Sequence, residues 1–325
     1  MELKAVNQKV TDEYAIYEGD SCELMKAIPE NSIGFSIHSP PFEGLYKFSN
    51  SDRDISNNSG DDFYFHYGVI VEELHRITKA GRLASVHVMQ LPTSITRDGF
   101  IGMRDFRGEV VRLFQEKGWV FHSEVCIWKD PVVAQQRTKS IRLLHKQVDK
   151  DSSISGQGLA DYILTFRKLG KNSEPIRKED PEYNGRFEYY IGEGKAPEPV
   201  ESRLGRQSKE DAEKWHSIEV WQRYASPVWM DINQSRTLQY KTARDEKDEQ
   251  HISPLQLDVI ERCIHLWSNP NDVVFTPFMG IGSEVYGAIE LGRKGMGIEL
   301  KSSYFAQAVK NIENFKNSTA NMFEE

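Results

Sequence analysis

The chain of 325 residues has 38% hydrophobic content, a mean hydropathy of −0.58 and a net charge of −8, a balance typical of a soluble globular protein with one large core or a core and an appended lobe. No run of about 18 apolar residues is present, which excludes a transmembrane helix, and the N-terminus lacks the pattern of a secretion signal. The three cysteines lie far apart and the nine histidines show no metal-ligand spacing, which argues against a disulfide framework or a metal centre and predicts a cytoplasmic protein with reduced thiols.

Strand and helix patterns alternate along the chain. In chain order, strands are predicted at residues 14–17, 33–37, 82–88, 120–128, 162–167, 272–276 and 294–300, and helices at residues 63–79, 105–117, 255–267, 283–291 and 303–315. Ala80 and Gly81 are expected to end the first of these helices. Residues 43–62 are rich in Ser, Asn, Asp and Gly and predict a loop, either one that closes over a substrate or a plain surface loop. This alternation predicts a mainly parallel sheet with helices on both faces.

The strand predicted at residues 33–37 is followed closely by Ser39-Pro40-Pro41-Phe42. Proline fixes φ and lacks an N–H, and the residue before a proline is held extended. The Ser39 hydroxyl and the Pro40 carbonyl are therefore predicted to form two rigid acceptors at a strand end, with Phe42 as a flat apolar face. Two acceptors and a ring suit a planar, amine-bearing heterocycle such as a nucleobase taken out of its stack. The alternative is a surface turn in which Phe42 is a core anchor.

The middle of the chain is unevenly charged. Residues 129–178 hold eleven Lys and Arg against five Asp and Glu, which is typical of a phosphate footprint or of a solvated helix face. The candidate DNA contacts in this stretch are Arg137, Lys139, Arg142 and Lys146. Residues 168–217 combine Pro, Gly and many charges with little periodicity, which indicates an insertion. The aromatic stretch at residues 221–230 fits either stacking on unpaired bases or the small core of an inserted lobe.

A glycine turn, Gly280-Ile281-Gly282, separates a strand pattern from a helix pattern, and a second strand pattern follows with Glu299 near its end. Glycines let a ligand approach the backbone, and a helix start offers free N–H groups. The third glycine of a dinucleotide fingerprint is replaced by Val285, and the lysine of a phosphate loop is absent. An acid placed like Glu299 accepts hydrogen bonds from ribose hydroxyls. The pattern predicts a nucleoside cofactor without a pyrophosphate, with S-adenosylmethionine as the obvious candidate, or else glycines that serve only tight packing.

Four segments together resemble the DNA amino-methyltransferases, which methylate cytosine N4 or adenine N6. They are Gly19-Asp20-Ser21, the tetrapeptide Ser39-Pro40-Pro41-Phe42, the H-x-x-P-L-Q-type run from His251 through Pro254 to Gln256, and the loop Thr276-Pro277-Phe278-Met279-Gly280-Ile281-Gly282. Thr276 departs from the aspartate that the family usually has there. The tetrapeptide precedes the cofactor loop, and this order resembles the permuted beta group of the family.

The resemblance covers most of the chain and implies a Rossmann-like, S-adenosylmethionine-dependent methyltransferase fold. It implies a catalytic half at residues 1–130, a target-recognition region at 131–248 and a cofactor-binding half at 249–325. The implied cofactor contacts are Asp20, His251, Pro254, Thr276, Phe278, Gly280, Gly282, Ser283 and Glu299. Double-stranded DNA is the implied partner, with or without a cognate restriction endonuclease, in a prokaryotic cell or a phage-infected host. A monomer and a homodimer both remain open, and no membrane partner is implied.

In the family, serine at the first place of the tetrapeptide usually accompanies cytosine, whereas Asp or Asn accompanies adenine. Ser39 therefore favours site-specific methylation of cytosine N4 in duplex DNA by base flipping and direct methyl transfer, with adenine N6 as the alternative. RNA or a free nucleotide is less favoured, because the long insert between the motifs suits the reading of a duplex. A noncatalytic DNA-binding paralogue is supported by Thr276 alone. A nicotinamide dehydrogenase is disfavoured by Val285.

Overall fold

The computed structural model describes residues 5–42, 60–132, 149–154, 156–176, 222–239 and 254–322. Its strands are β1 (Asn7–Val10), β2 (Tyr14–Glu18), β3 (Ile33–His38), β4 (Thr78–Met89), β5 (Leu91–Pro92), β6 (Met103–Arg104), β7 (Trp119–Ile127), β8 (Asp161–Lys168), β9 (Val228–Trp229), β10 (Val273–Thr276) and β11 (Lys294–Glu299). Its helices are α1 (Ser21–Leu24), α2 (Asp61–Ile77), α3 (Ile95–Asp98), α4 (Phe106–Glu116), α5 (Leu257–Trp267), α6 (Ser283–Glu290) and α7 (Ser302–Met322), with 3-10 turns at Met25–Ala27 and Ser152–Ile154.

Nine of these strands form one sheet, in the order β1–β2–β11–β10–β3–β4–β8–β7–β9, and β5 pairs separately with β6. The five strands β2, β11, β10, β3 and β4 run parallel, whereas β8 lies antiparallel between β4 and β7. All six residues of the central strand β3 are buried, as expected where helices cover both faces of a parallel sheet. The predicted fold class is confirmed. Among the described helices, none combines the length and the apolar character that a membrane span requires.

Helices cover one face of the sheet through an apolar stripe. Residues three or four positions apart on α2, such as Tyr67, Ile70 and Leu74, are buried against the sheet. Phe114 of α4 stacks on Phe166 of β8 with a centroid separation of 4.0 Å. On the other face, α5 and α6 pack so closely that a Cβ on Gly287 would lie 2.7 Å from Cγ2 of Ile260. The two faces thus bury separate apolar clusters. A binding site is therefore expected at the ends of the strands.

The junction of α2 and β4 differs from its prediction. The helix ends at Ile77 rather than at residue 79, and β4 begins directly at Thr78. The Thr78 hydroxyl donates to the Leu74 carbonyl at 2.7 Å and so completes the last helical turn. Gly81, predicted as the helix stop, lies inside the strand with a φ of +72°, where a Cβ would come within 2.7 Å of the Asn172 backbone. The glycine therefore serves a close approach between chain segments, not a helix end.

Strands β8 and β9 come from the stretch predicted as a target-recognition region. Strand β8 lies inside the main sheet, third from one end, and β9 lies at that end beside β7, so the described part of this stretch is continuous with the main sheet. Trp229 of β9 is 1% exposed and lies under the Arg262 guanidinium, which favours the core interpretation for this aromatic residue. Residues 177–221, which contain the rest of the predicted insertion, lie outside the described residues. The boundaries at 130 and 248 and the role in DNA recognition stay predictions.

Candidate active site

The parallel strands end at a common edge of the sheet, and the segments with the strongest sequence signals follow them. The tetrapeptide starts at Ser39, directly after β3, and the glycine loop follows the neighbouring strand β10. From β3 the chain continues to β4 on one side, and from β10 it continues to β11 on the other. Ligands of open α/β sheets bind in the crevice outside the strand ends where the order reverses in this way. The two predicted halves of the site therefore face one crevice.

The glycine loop adopts a conformation that L side chains rarely take. Gly280 has a φ of +53° and Gly282 a φ of +91°, and Gly282 is the N-cap of α6. A Cβ on Gly280 would meet no atom within 4 Å, whereas one on Gly282 would lie 3.1 Å from Cβ of Ala308. Gly280 thus leaves open space above the loop, and Gly282 allows close packing below it.

Glu299 holds the glycine loop in place. One carboxylate oxygen accepts the Gly280 N–H at 2.7 Å, and the other accepts the Lys301 N–H at 2.8 Å. The loop is also tied to β11 by the Met279 N–H, which donates to the Ile298 carbonyl at 2.9 Å. The acid predicted to bind ribose therefore also sets the position of the backbone that a ligand would approach.

Polar groups next to this loop are buried without partners. Thr276 Oγ1, Ser283 Oγ and His38 Nδ1 have no hydrogen-bond partner among the described residues. Glu284, in the first turn of α6, is buried, and this burial raises the pKa of its carboxyl to about 8. A carboxyl that is protonated near neutral pH can donate as well as accept a hydrogen bond. Buried polar groups normally find partners, so this set is suited to a polar ligand.

An aromatic wall lies between the loop and the tetrapeptide. The half-buried ring of Phe278 lies 5.7 Å from the ring of His38 and 6.2 Å from that of Tyr67. Nε2 of His38 is 2.9 Å from the Tyr67 hydroxyl. Burial lowers the pKa of His38 to about 3, so this imidazole is neutral at physiological pH. These rings therefore give the site a packed aromatic surface, and His38 adds no positive charge to it.

Ser39 is the first member of a polar chain that crosses three strands. Its Oγ lies 3.1 Å from Nδ1 of His87 on β4, and Nε2 of His87 lies 2.9 Å from Oδ2 of Asp161 at the start of β8. Lys129, just past β7, forms an ion pair with Asp161. Burial alone would raise the pKa of Asp161, but the charge of Lys129 and the hydrogen bonds that Lys129 and His87 donate outweigh it and lower the pKa to about 2. Asp161 is therefore an ionised acceptor.

Phe42 lies beside this chain. Its ring is 6.4 Å from the His87 ring and 6.0 Å from the Phe106 ring, the latter at an interplanar angle of 85°. The side chain is half-buried, and it packs edge-on against the core cluster under α2 and α4. The ring therefore anchors the tetrapeptide to the core and stays partly exposed.

Of the remaining predicted site residues, Asp20 and Pro254 lie in the described part of the chain, and the others lie outside it. Asp20 follows β2 and caps α1, with Oδ1 accepting the Cys22 N–H at 2.9 Å, and its neighbour Ser21 donates to the Pro277 carbonyl at 2.5 Å. Pro254 begins the described segment that leads into α5. The predicted residues that lie outside the described part of the chain are His251, Arg137, Lys139, Arg142 and Lys146.

Sequence reasoning missed three residues of this edge: His87, Lys129 and Asp161. His87 is a buried histidine within the otherwise apolar end of β4, and Asp161 is a buried acid at the head of an apolar strand. Buried polar residues at strand ends are uncommon unless they are paired. That exception to the apolar pattern was the available signal.

A family model described as DNA methylase matches residues 33–310. The chain is 24% identical over 89% of its length to the type II methyltransferase M.BglII of Bacillus subtilis, of which it spans 66%, just under two thirds. It is 22% identical over 95% of its length to the type II methyltransferase M.BglI of Bacillus subtilis, of which it spans 88%.

Two solved structures share the fold. TTHA0409 from Thermus thermophilus, in its complex with S-adenosyl-L-methionine, aligns with a TM-score of 0.59 at 19% identity over 92% of this chain and 93% of that one. The cytosine-N4-specific PvuII DNA methyltransferase aligns with a TM-score of 0.60 at 15% identity over 94% of this chain and 89% of that one.

Proposed function

The chain belongs to the DNA methylase family whose model spans residues 33–310, and from this premise we propose that it methylates the exocyclic N4 amine of cytosine in double-stranded DNA. Its general activity is DNA methyl transfer, and its cofactor is S-adenosylmethionine. The choice of cytosine N4 rests on Ser39, because serine at the first place of the tetrapeptide usually accompanies cytosine in the family. Adenine N6 is the second candidate, because a serine hydroxyl and a carboxylate both accept a hydrogen bond from an amine.

The cofactor half of the crevice fits this assignment. The unpartnered hydroxyls of Thr276 and Ser283 would form hydrogen bonds with the ligand. The carboxyl group of Glu284, which its raised pKa keeps protonated near neutral pH, would add a further polar contact. Glu299 would accept hydrogen bonds from ribose hydroxyls, and the open space above Gly280 would admit the ligand close to the backbone. When bound, S-adenosylmethionine supplies an electrophilic methyl group on a sulfonium. The residues proposed to hold it are Asp20, His251, Pro254, Thr276, Phe278, Gly280, Gly282, Ser283 and Glu299.

The tetrapeptide would activate the amine. The lone pair of an exocyclic amine is conjugated with the base ring, which makes it a poor nucleophile. If Ser39 Oγ and the Pro40 carbonyl accept its two N–H groups, the nitrogen becomes more tetrahedral and its lone pair is directed at the methyl group. Positive charge develops on this nitrogen during transfer, so two fixed acceptors stabilise the transition state more than the ground state.

The rigid backbone and the adjoining ring would position the base. Pro40 and Pro41 limit the motion of the acceptors, and a fixed geometry removes entropy that the reaction would otherwise lose. Phe42 would contact the flipped base, and stacking of a base on an aromatic ring stabilises binding by about 1–3 kcal/mol. We assign the basic residues Arg137, Lys139, Arg142 and Lys146 to the DNA backbone, where such side chains supply nonspecific affinity. A partner endonuclease and the choice between monomer and homodimer stay predictions.

The identity of the methylated base tests this proposal directly. The protein is incubated with mixed genomic DNA and methyl-labelled S-adenosylmethionine, and the DNA is digested to nucleosides for mass spectrometry. Label in N4-methylcytosine supports the proposal, and label in N6-methyladenine establishes the second candidate. Absence of label in both, together with absent cofactor binding in calorimetry, contradicts the enzymatic function and favours a noncatalytic paralogue.

Removal of the Glu299 carboxylate is expected to weaken cofactor binding. In Glu299→Ala the ribose contacts and the bond to the Gly280 N–H are lost together, and hydrogen bonds to a charged group contribute about 1.5–3 kcal/mol each. A rise of about 10- to 100-fold in the Kd of S-adenosylmethionine is expected by calorimetry. Glu313→Ala, which removes an exposed carboxylate paired with Lys9, is the matched control. An unchanged Kd in Glu299→Ala would show that the ribose is bound elsewhere.

A further inference from the structure

We propose that His87 and Asp161 are positioning residues that turn the Ser39 hydroxyl hydrogen away from the substrate, and so make Ser39 Oγ a one-way acceptor. This inference rests on the proposed role of Ser39 in binding the amine. It assigns a function to the chain of contacts Ser39–His87–Asp161–Lys129, of which the sequence motifs include only Ser39.

The direction of each hydrogen bond follows from the charge at the far end of the chain. Asp161 is ionised, because Lys129 forms an ion pair with it and lowers its pKa against the effect of its burial, and an ionised carboxylate only accepts. Nε2 of His87 must therefore carry the hydrogen of the 2.9 Å contact with Asp161. In a neutral imidazole the other nitrogen is then an acceptor. Nδ1 of His87 is consequently an acceptor for the hydroxyl hydrogen of Ser39 across 3.1 Å, and it lies nearer than the other acceptor in reach, the His87 carbonyl at 3.5 Å.

This direction matters because a free hydroxyl can bind an amine in two ways. It can accept an N–H bond, which localises the lone pair on nitrogen, or it can donate to that lone pair, which blocks attack on the methyl group. With its hydrogen committed to His87, Ser39 Oγ has only lone pairs left for the substrate. The serine then acts only as a hydrogen-bond acceptor, as an ionised carboxylate does. Unlike a carboxylate, it adds no negative charge beside the base.

The same chain can receive the proton that the reaction must release. Methyl transfer leaves a positive charge and two hydrogens on the amine nitrogen. One N–H bond then breaks with its electron pair remaining on nitrogen, the proton joins Ser39 Oγ, and the original hydroxyl proton of Ser39 moves to Nδ1 of His87. The imidazolium formed is stabilised by Asp161, as in the serine hydrolase triad. The imidazolium must then pass this proton to solvent before the next turnover.

A purely structural role for these residues makes a different prediction, and the same strands supply the control. Ser85 of β4 and Thr165 of β8 form a buried hydroxyl pair at 3.0 Å. They lie opposite each other in the sheet, two residues before His87 along β4. Thr165→Val removes a buried polar contact between the same two strands without touching Ser39. If the chain only joins strands, Asp161→Asn and Thr165→Val should change methyl transfer alike.

The first experiment separates catalysis from binding in Asp161→Asn, His87→Asn and His87→Phe. In Asp161→Asn the amide can donate to His87 and reverse its tautomer, so we expect kcat to fall about a hundredfold with the Kd of S-adenosylmethionine within twofold of wild type. His87→Asn keeps an acceptor for the Ser39 hydroxyl and is expected to retain at least tenfold more kcat than His87→Phe. Equal kcat values in the two His87 variants, or wild-type kcat in folded Asp161→Asn, would overturn the proposal.

The second experiment reads the tautomer itself and requires no methylation. Long-range proton–nitrogen NMR spectra of the wild-type protein, with His87 assigned through its Phe variant, should show hydrogen on Nε2 and an unprotonated Nδ1. The opposite tautomer would overturn the inference even if the enzyme methylates cytosine. If the Nε2–H tautomer is present but no DNA base is methylated, the proposed function fails while the direction of the hydrogen bonds stands.

Discussion

Ser39→Ala is expected to lower kcat for DNA methylation by about 10²- to 10³-fold, while the Kd of S-adenosylmethionine stays within twofold of wild type. The reason is that Ser39 Oγ is one of two acceptors proposed for the amine, and removal of one preorganised hydrogen-bonding group from a transition-state site has an effect of this size. Ser39 lies past the end of β3, whereas the glycine loop follows β10. Cofactor binding and methyl transfer should therefore separate cleanly in this variant.

Single-turnover methylation of a defined duplex is the measurement that isolates this effect, because product release does not enter it. Ser32→Ala serves as the control, since Ser32 precedes the same strand and its exposed hydroxyl only donates to the Pro29 carbonyl. A single-turnover rate near wild type in Ser39→Ala would show that the Pro40 carbonyl suffices and that Ser39 is not an acceptor.

Asp272→Ala is expected to reduce the free energy of unfolding by about 3–5 kcal/mol. Both oxygens of Asp272 accept from Nη2 of Arg82, at 2.8 and 2.6 Å, and Arg82 is completely buried. Truncation leaves a guanidinium charge inside the protein beside β3, where Gly34 already packs against the Asp272 side chain. The pair lies at the amino ends of the strands, so stability should fall while the residues of the active site keep their contacts.

Urea denaturation at equilibrium measures this change, with an unchanged m-value as the sign that the same surface is exposed on unfolding. Glu109→Ala breaks an exposed ion pair with Arg112 and should change stability by less than about 1 kcal/mol. The double variant Arg82→Met, Asp272→Leu should recover part of the loss, because no unpaired charge remains. A loss below about 1 kcal/mol in Asp272→Ala would mean that water or a neighbouring acid solvates Arg82.

Short-range patterns were sufficient for most of the fold. The apolar run of β3 and the glycine that follows α4 are local signals, and both predicted elements are present within one or two residues. Strand β1 was missed because its residues are mostly exposed and it pairs only at the sheet edge. The two-residue strands β5, β6 and β9 exist only through their partners, so no periodicity in the sequence could reveal them.

The site shows the same division. The tetrapeptide and the glycine loop carry proline and glycine signals that are visible in a few consecutive residues. The contact between Ser39 and His87 spans 48 positions, and that between His87 and Asp161 spans 74. Both depend on the placement of β4 beside β3 and of β8 beside β4. A single sequence does not determine that strand order. The contact between His87 and Asp161, which are far apart in the chain, could therefore not be predicted.

The antiparallel placement of β8 has a mechanical consequence. Strand β7 runs toward the edge of the sheet where Ser39 follows β3, and β8 starts at that edge, so the segment between them leaves and re-enters the sheet there. Lys129 stands at its departure and Asp161 at its return, and these two side chains are ion-paired. The ion pair therefore joins the two ends of the segment between β7 and β8 at the edge of the sheet. A change in the position of Lys129 and a change in the orientation of His87 are therefore coupled, because both side chains contact Oδ2 of Asp161.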